Sequence, residues 1–121
     1  NVYLNEYDFD LDEHVILLNE WKNDSTYKYH KMEDFNADSL LINGNGFMIE
    51  FKDQHQRSFQ TPKASFNVKS SYRYRFRLVN AGYLFCPMQF SVDSHNLTII
   101  STDGNFIRPV LVSSLVIYAG N

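Results

Sequence analysis

An all-β domain, built as a Greek-key sandwich or barrel, is what this sequence predicts, and three observations carry the prediction. Apolar residues come in short runs of four to nine, bounded by Gly, Asn, Asp and Ser, with no internal repeat or low-complexity linker. Ten Phe and eight Tyr stand against three Pro and five Gly, and aromatic side chains fit a pleated, half-buried surface. No segment carries the 3.6-residue apolar period of a strong amphipathic helix, so strands joined by turns must bury the apolar surface. With 121 residues, 44% of them apolar, the chain reads as one domain spanning residues 1–121 around one sizeable core.

Residues 1–11 read as an incoming linker. The runs that follow predict strands at 13–21, 39–42, 47–51, 65–68, 72–79, 88–92, 97–101 and 111–118. In the first, Val15, Ile16, Leu17 and Leu18 are continuously apolar, as expected of a strand covered on both sides: by the core on one, and by another domain or subunit on the other. Residues 23–38 are polar and aromatic without a clean period, which predicts a long loop or a short irregular helix. The segment INGNGF, with two glycines but no Lys and no following helix, reads as a turn. The clearest strand is YRYRFRLV, where Tyr72, Tyr74, Phe76 and Leu78 alternate with Arg73, Arg75 and Arg77. The alternation sends the arginines outward, onto a solvated face or a domain contact.

Composition excludes several function classes. The formal charge of −3, from 11 basic and 14 acidic residues spread along the chain, builds no field for nucleic acid or anionic lipid. No stretch of about 18 apolar residues is present to span a bilayer, and the opening NVYLNEYDF has no basic region followed by an apolar run, so no signal peptide is expected within this segment. The lone Cys86 excludes an internal disulfide and any site built from several thiolates. Two glycan-acceptor patterns, at Asn23 (Asn23-Asp24-Ser25) and Asn96 (Asn96-Leu97-Thr98), fall in polar, turn-like stretches and point toward secretion.

Candidate chemistry is sparse. Type 1 copper needs a Cys thiolate and two imidazoles, usually with a weak axial Met, and the second His and the Met follow closely after the Cys, in that order. Here Met88 comes two residues after Cys86 and His95 nine after it, which is the wrong order. His14, His30, His55 and His95 form no His-x-His pair of the kind that lets alternate residues reach two neighbouring metals. No metal site is therefore expected in this chain. Asp8, Asp10 and Asp12 alternate like the opening of a calcium loop, but Glu13 and Asn19 stand where such a loop needs Gly and Glu. No nucleophile elbow, phosphate-binding loop or dinucleotide fingerprint is present, and no residue is assigned as catalytic. Glu20 is the exception worth following: beside Trp21 at the end of an apolar strand, its carboxylate falls where a charge is costly unless used or paired, although an ordinary strand-end residue is the alternative.

Three stretches together resemble one family. DEHVILLNEW, DSLLINGNG, and YRFRLVNAGYLFCPMQFSVDSHNLTIISTDG with its tail IRPVLVSSLVIYAG are similar to the second, middle domain of laccase-type multicopper oxidases, with a flavour closest to the arthropod and especially the insect enzymes. The likeness runs from about Tyr7 to Gly120 and is weakest over residues 23–38 and 52–65. It implies a cupredoxin (plastocyanin-like) fold and a secreted three-domain parent whose first and third domains hold the copper. The middle domain then holds none, and its partners are the flanking cupredoxin domains of the same polypeptide. In that family, one-electron oxidation of phenolic donors is coupled to reduction of dioxygen to water. The resemblance also carries over a carboxylate just before a strand-end Trp, here Glu20, which lines the donor pocket at the interface with the third domain. The ending YAGN departs from the pattern, since the family continues after the Gly with an acidic residue and an aromatic segment.

Two readings of different class follow. In one, the chain is the copper-free middle domain of a laccase-like phenol oxidase, with Glu20 in the donor pocket. In the other, it is a stand-alone secreted binding or structural module that kept the sandwich and lost the oxidase. The outer face of the Val15–Leu18 run and the arginine face separate them: each should be covered by partner domains in the first case and adapted to water in the second.

Overall fold

A computed structural model of the chain describes residues 5–21, 37, 39–48, 62–82 and 87–120. Eight strands and no helix occur among the described residues: β1 (Val15–Trp21), β2 (Ser39–Ile42), β3 (Asn45–Met48), β4 (Arg77–Asn80), β5 (Met88–Phe90), β6 (Leu97–Thr102), β7 (Asn105–Val112) and β8 (Leu115–Ile117). The predicted all-β class holds, with mixed and antiparallel pairing consistent with a cupredoxin-like β-sandwich. One sheet has the order β3-β2-β1-β4, while β5 pairs with β8 and β6 with β7.

β1 organises the larger sheet. It runs antiparallel to β2 and parallel to β4, so its backbone is hydrogen-bonded on both edges. Its two faces differ because successive side chains alternate. Ile16 and Leu18 are buried and join Met88 of β5 and Ile117 of β8 in the core, with Ile42, Phe66, Phe76, Leu78, Phe90 and Leu115 packed around them. Leu17 and its β4 neighbour Val79 lie on the opposite face at 37% and 41% exposure. The continuous apolar run is thus covered on one side by this chain and left open on the other.

Two tight turns come from sequence chemistry. Asn43 and Gly44, between β2 and β3, both have positive φ (52° and 75°), as do Asp103 and Gly104 between β6 and β7 (48° and 76°). A two-residue hairpin of this hand needs both central residues in the left-handed region, which Asn, Asp and Gly tolerate best. Asn43 does more than turn. Its Oδ1 accepts from Leu17 N at 2.7 Å and its Nδ2 donates to the Val15 carbonyl at 2.8 Å, extending the β1 ladder past the end of β2.

Several predicted strands are shorter than their sequence pattern. Residues 65–68 join no ladder. Phe66 anchors that segment edge-on against Phe76, with ring centroids 5.5 Å apart, and Lys69 N donates to the Tyr74 hydroxyl at 2.8 Å. The run 111–118 divides at Ser113 and Ser114 because β7 pairs with β6 and β8 with β5, and one strand cannot serve both. β7 starts earlier than predicted and its register against β6 shifts between Ile99 and Ser101, beside Pro109, which has no N–H to give a ladder. Of the predicted strand at 47–51, residues 49–51 lie outside the described residues, as do Asn23, His30, His55, Cys86 and most of the loop predicted at 23–38.

The alternating segment 72–79 pairs in two pieces. Arg77–Asn80 pair with β1, whereas Tyr74 makes a single parallel bridge to Phe9. Residues 5–11, read from sequence as a linker, lie along this segment as a strap. Asp8 N and Phe9 N donate to the Arg73 carbonyl, and Arg75 N donates to the Phe9 carbonyl at 2.9 Å. Between strap and β1 the chain bulges through residues 10–14 and buries His14 (1% exposed) against the rings of Tyr74 and Phe76. The His14 Nδ1 has no hydrogen-bond partner among the described residues.

Candidate functional site

The arginines lie on the outer face, as the alternation predicted, with the Arg73 and Arg77 side chains 57% and 41% exposed, and each is paired there with a carboxylate. Asp8 pairs with Arg73 through Oδ1 at 3.1 Å, and Asp10 pairs with Arg75 at 3.2 Å and with Arg77. The Arg75 guanidinium also lies 5.6 Å from the Tyr7 ring centroid. Arg73's side-chain hydrogen bond and then its backbone N–H hold the Asp8 carboxyl below the usual aspartate value, and Asp8 in turn holds Arg73 above its own. Two carboxylates thus offset most of the charge of three guanidiniums inside the chain, which weakens the field that a nucleic-acid stripe would need. Asp8 and Asp10 are guanidinium partners, consistent with the failed calcium-loop pattern.

At the opposite end of the β1–β4 pair, Glu20 is half-buried and stands across from Leu40 of β2. Its even-numbered position puts it on the same face of β1 as Ile16 and Leu18, at the margin of the core. Trp21, the next residue, takes the other face and is 58% exposed.

What the Glu20 carboxylate approaches is the turn that leaves β4. Asn80, the last residue of that strand, is 1% exposed. Its Nδ2 donates to the Ile117 carbonyl at 2.8 Å and its Oδ1 accepts from Gly82 N at 2.8 Å. Its carbonyl accepts from Gly120 N at 3.0 Å, and Ala81 N donates to the Leu18 carbonyl at 2.8 Å. The Asn80 amide thus ties the end of β4 to β8, and the Ala81 N–H ties the same turn to β1. A methyl placed on Gly82 would meet Met88 Cε at 2.6 Å, Asn80 Oδ1 at 3.0 Å and Glu20 Oε2 at 3.2 Å. Glu20, Asn80, Gly82 and Met88 therefore form one cluster.

Sequence reasoning singled out Glu20 but assigned nothing to Asn80 or Gly82. The available signal was the text Val79-Asn80-Ala81-Gly82: a polar amide closing an apolar strand, followed by two small residues. That pattern marks a strand end, but the strand that receives the amide's hydrogen bond lies 37 residues further on.

Among the described residues, which do not include His30, His55 or Cys86, no three His, Cys, Asp or Glu side chains gather where they could hold a metal. His14 is sealed between aromatic rings. His95 Nδ1 lies 2.8 Å from the Asp93 carbonyl on an exposed turn, and Met88 packs in the core with Ile117. Asn96 is exposed immediately before β6, and Thr98 of the same acceptor pattern is also exposed. Among the described residues no helix is long and apolar enough to cross a membrane.

With fold and cluster defined, comparison with known proteins places the chain in a class. A family model described as multicopper oxidase matches residues 12–121, and the chain belongs to that family. Laccases are among its relatives. Laccase-2 of Trametes villosa is 38% identical over 122 residues, covering 97% of this chain and 21% of its own length. Laccase-2 of Pleurotus ostreatus is 37% identical over 125 residues, with 98% and 20% covered, and a laccase of Trametes hirsuta is 38% identical over 118 residues, with 93% and 20% covered. These three are fungal enzymes; the arthropod flavour read from the sequence is not among them. The chain spans about a fifth of the length of these relatives.

Proposed function

We propose that this chain is the copper-free middle domain of a secreted, laccase-like multicopper oxidase, and that it contributes Glu20 to the pocket for a phenolic donor. The observation that carries the reading is the family match over residues 12–121 with laccase relatives of roughly five times this length. Copper, on this reading, belongs to the flanking cupredoxin domains of the same polypeptide, and no step of the chemistry is routed through a metal on this chain.

The chain's own contribution is a proton acceptor. A phenol that loses an electron becomes strongly acidic, so a carboxylate hydrogen-bonded to its hydroxyl lowers the barrier by receiving the proton as the electron leaves. Glu20 suits that role, because it is neither fully solvated nor sealed in the core, and it stands next to last in a strand whose other side chains fix its height. The open outer face supports the flanking domains. Leu17, Val79 and Trp21 are 37%, 41% and 58% exposed there, a composition suited to a covered surface rather than to water. Asn96 and Asn23 remain the proposed glycan sites, which fit an extracellular protein.

The test is Glu20→Gln in the whole protein. Oxidation of phenolic donors should fall about tenfold or more, since a positioned base is worth on the order of 10²-fold or above, and the pH dependence of kcat/KM should flatten. A one-electron donor with no proton to lose should be oxidised at an unchanged rate. Equal behaviour of both donor types in wild type and variant would remove Glu20 from the mechanism.

A further inference from the structure

The Glu20 cluster contains two residues to which no role has been given, and their geometry is specific. Asn80 is fully buried, and its side chain bridges the Ile117 carbonyl and Gly82 N. Ala81 N is bonded to the Leu18 carbonyl, two residues before Glu20 on β1. The turn 80–82 is therefore fixed to β1 on one side and to β8 on the other, and it cannot drift relative to the strand that carries the carboxylate.

We propose that Asn80 and Gly82 are positioning residues for the Glu20 carboxylate: Asn80 fixes the turn beside it, and Gly82, by having no side chain, leaves the space that the carboxylate occupies. The inference rests on the reading of Glu20 as proton acceptor. A Cβ at position 82 would stand 3.2 Å from Glu20 Oε2 and 3.0 Å from Asn80 Oδ1, both tighter than ordinary contact, and 2.6 Å from Met88 Cε. The Met88 methyl ends a flexible side chain and can swing aside. Asn80 Oδ1 cannot retreat without stretching its bond to Gly82 N, so the carboxylate is the group that yields. A displacement of a few tenths of an ångström in a proton acceptor is felt at the reacting atom, because acid–base catalysis depends on hydrogen-bond distance. Gly82 thus sets where a donor hydroxyl must lie, and acts on specificity among phenols of different shape.

The experiment compares Gly82→Ala, Glu20→Gln and the double variant in the whole protein, measuring kcat/KM against pH for a simple phenol and for a one-electron donor that loses no proton. Gly82→Ala should lower phenol kcat/KM about three- to tenfold, shift its pH profile, leave the proton-free donor unchanged, and add nothing to Glu20→Gln in the double variant. If Glu20→Gln slows phenols while Gly82→Ala leaves rate and pH profile untouched, the positioning role is overturned and the Glu20 reading survives. If Glu20→Gln itself has no effect, both fall. Should Gly82→Ala fold poorly, Gly82→Ala with Met88→Leu removes the tightest contact and retains the approach to Glu20, and the same phenol-selective loss is required of it. An equal loss with both donors in either variant marks a general structural role and overturns the inference.

Discussion

The two ends of the β1–β4 pair are held by opposite kinds of chemistry. At the N-terminal end, the strap of residues 5–11 is fastened by Asp8 to Arg73 and by Asp10 to Arg75 and Arg77, with several of these side chains exposed. At the C-terminal end, a single buried amide, Asn80, satisfies one carbonyl and one N–H from different parts of the chain. Ion pairs near water gain little, because the charges are screened and both side chains lose freedom. A buried neutral hydrogen bond gains little in itself too, but removing it strands its partners away from water. The contrast is one of consequence: the first end can loosen locally, while the second fails together with the core it borders.

The largest expected effect is therefore at Asn80. Asn80→Ala leaves the Ile117 carbonyl and Gly82 N without their partner, and unfolding stability should fall by about 2–4 kcal/mol, read from denaturant unfolding. A loss below about 1 kcal/mol would show that water or a shifted backbone replaces the amide, and would erase the difference between the ends. Asp10→Asn comes next. It weakens two guanidinium contacts at a half-buried carboxylate, and about 1 kcal/mol is expected, diminishing at high salt as screening increases. An effect equal to that of Asn80→Ala would mean that the strap is part of the cooperative core.

The smallest effect is at Asp8, and its sign follows from the direction of its shift. The folded state holds this carboxyl below its ordinary value through Arg73. Its contribution is then complete above the unfolded aspartate pKa and is lost as pH falls through the depressed folded value. Exchange protection of Asp8 N–H and Phe9 N–H, both bonded to the Arg73 carbonyl, should decline in acid before that of Ala81 N–H at the other end. Parallel decline of all three would mean that the two ends open as one unit.

How far the sequence was legible depends on distance along the chain. The Asn43-Gly44 and Asp103-Gly104 turns were readable because their cause is local: adjacent residues that tolerate positive φ. The alternation of Tyr74, Phe76 and Leu78 with the arginines was readable as a period of two. What pairs with the arginines was not, because Asp8 and Asp10 lie about 65 residues away in sequence and an acidic stretch reads equally well as solvated. The split of residues 111–118 was hidden for the same reason: local text shows that a segment is extended but not which strand it will pair with.

At the candidate site the division is similar. Sequence alone determined an all-β chain and the family to which three stretches pointed, and it drew attention to Glu20 as a carboxylate beside a strand-end Trp. These follow from side-chain type and spacing, which the chain carries in any conformation. Only the tertiary structure decided that Glu20 faces the core margin rather than the Trp21 side, that Gly82 leaves room for its carboxylate, and that Asn80 locks the turn between them. Those facts arise when β1, β4, β5 and β8 meet, and a residue's neighbours across a sheet are set by register and packing, which no local stretch of sequence encodes by itself.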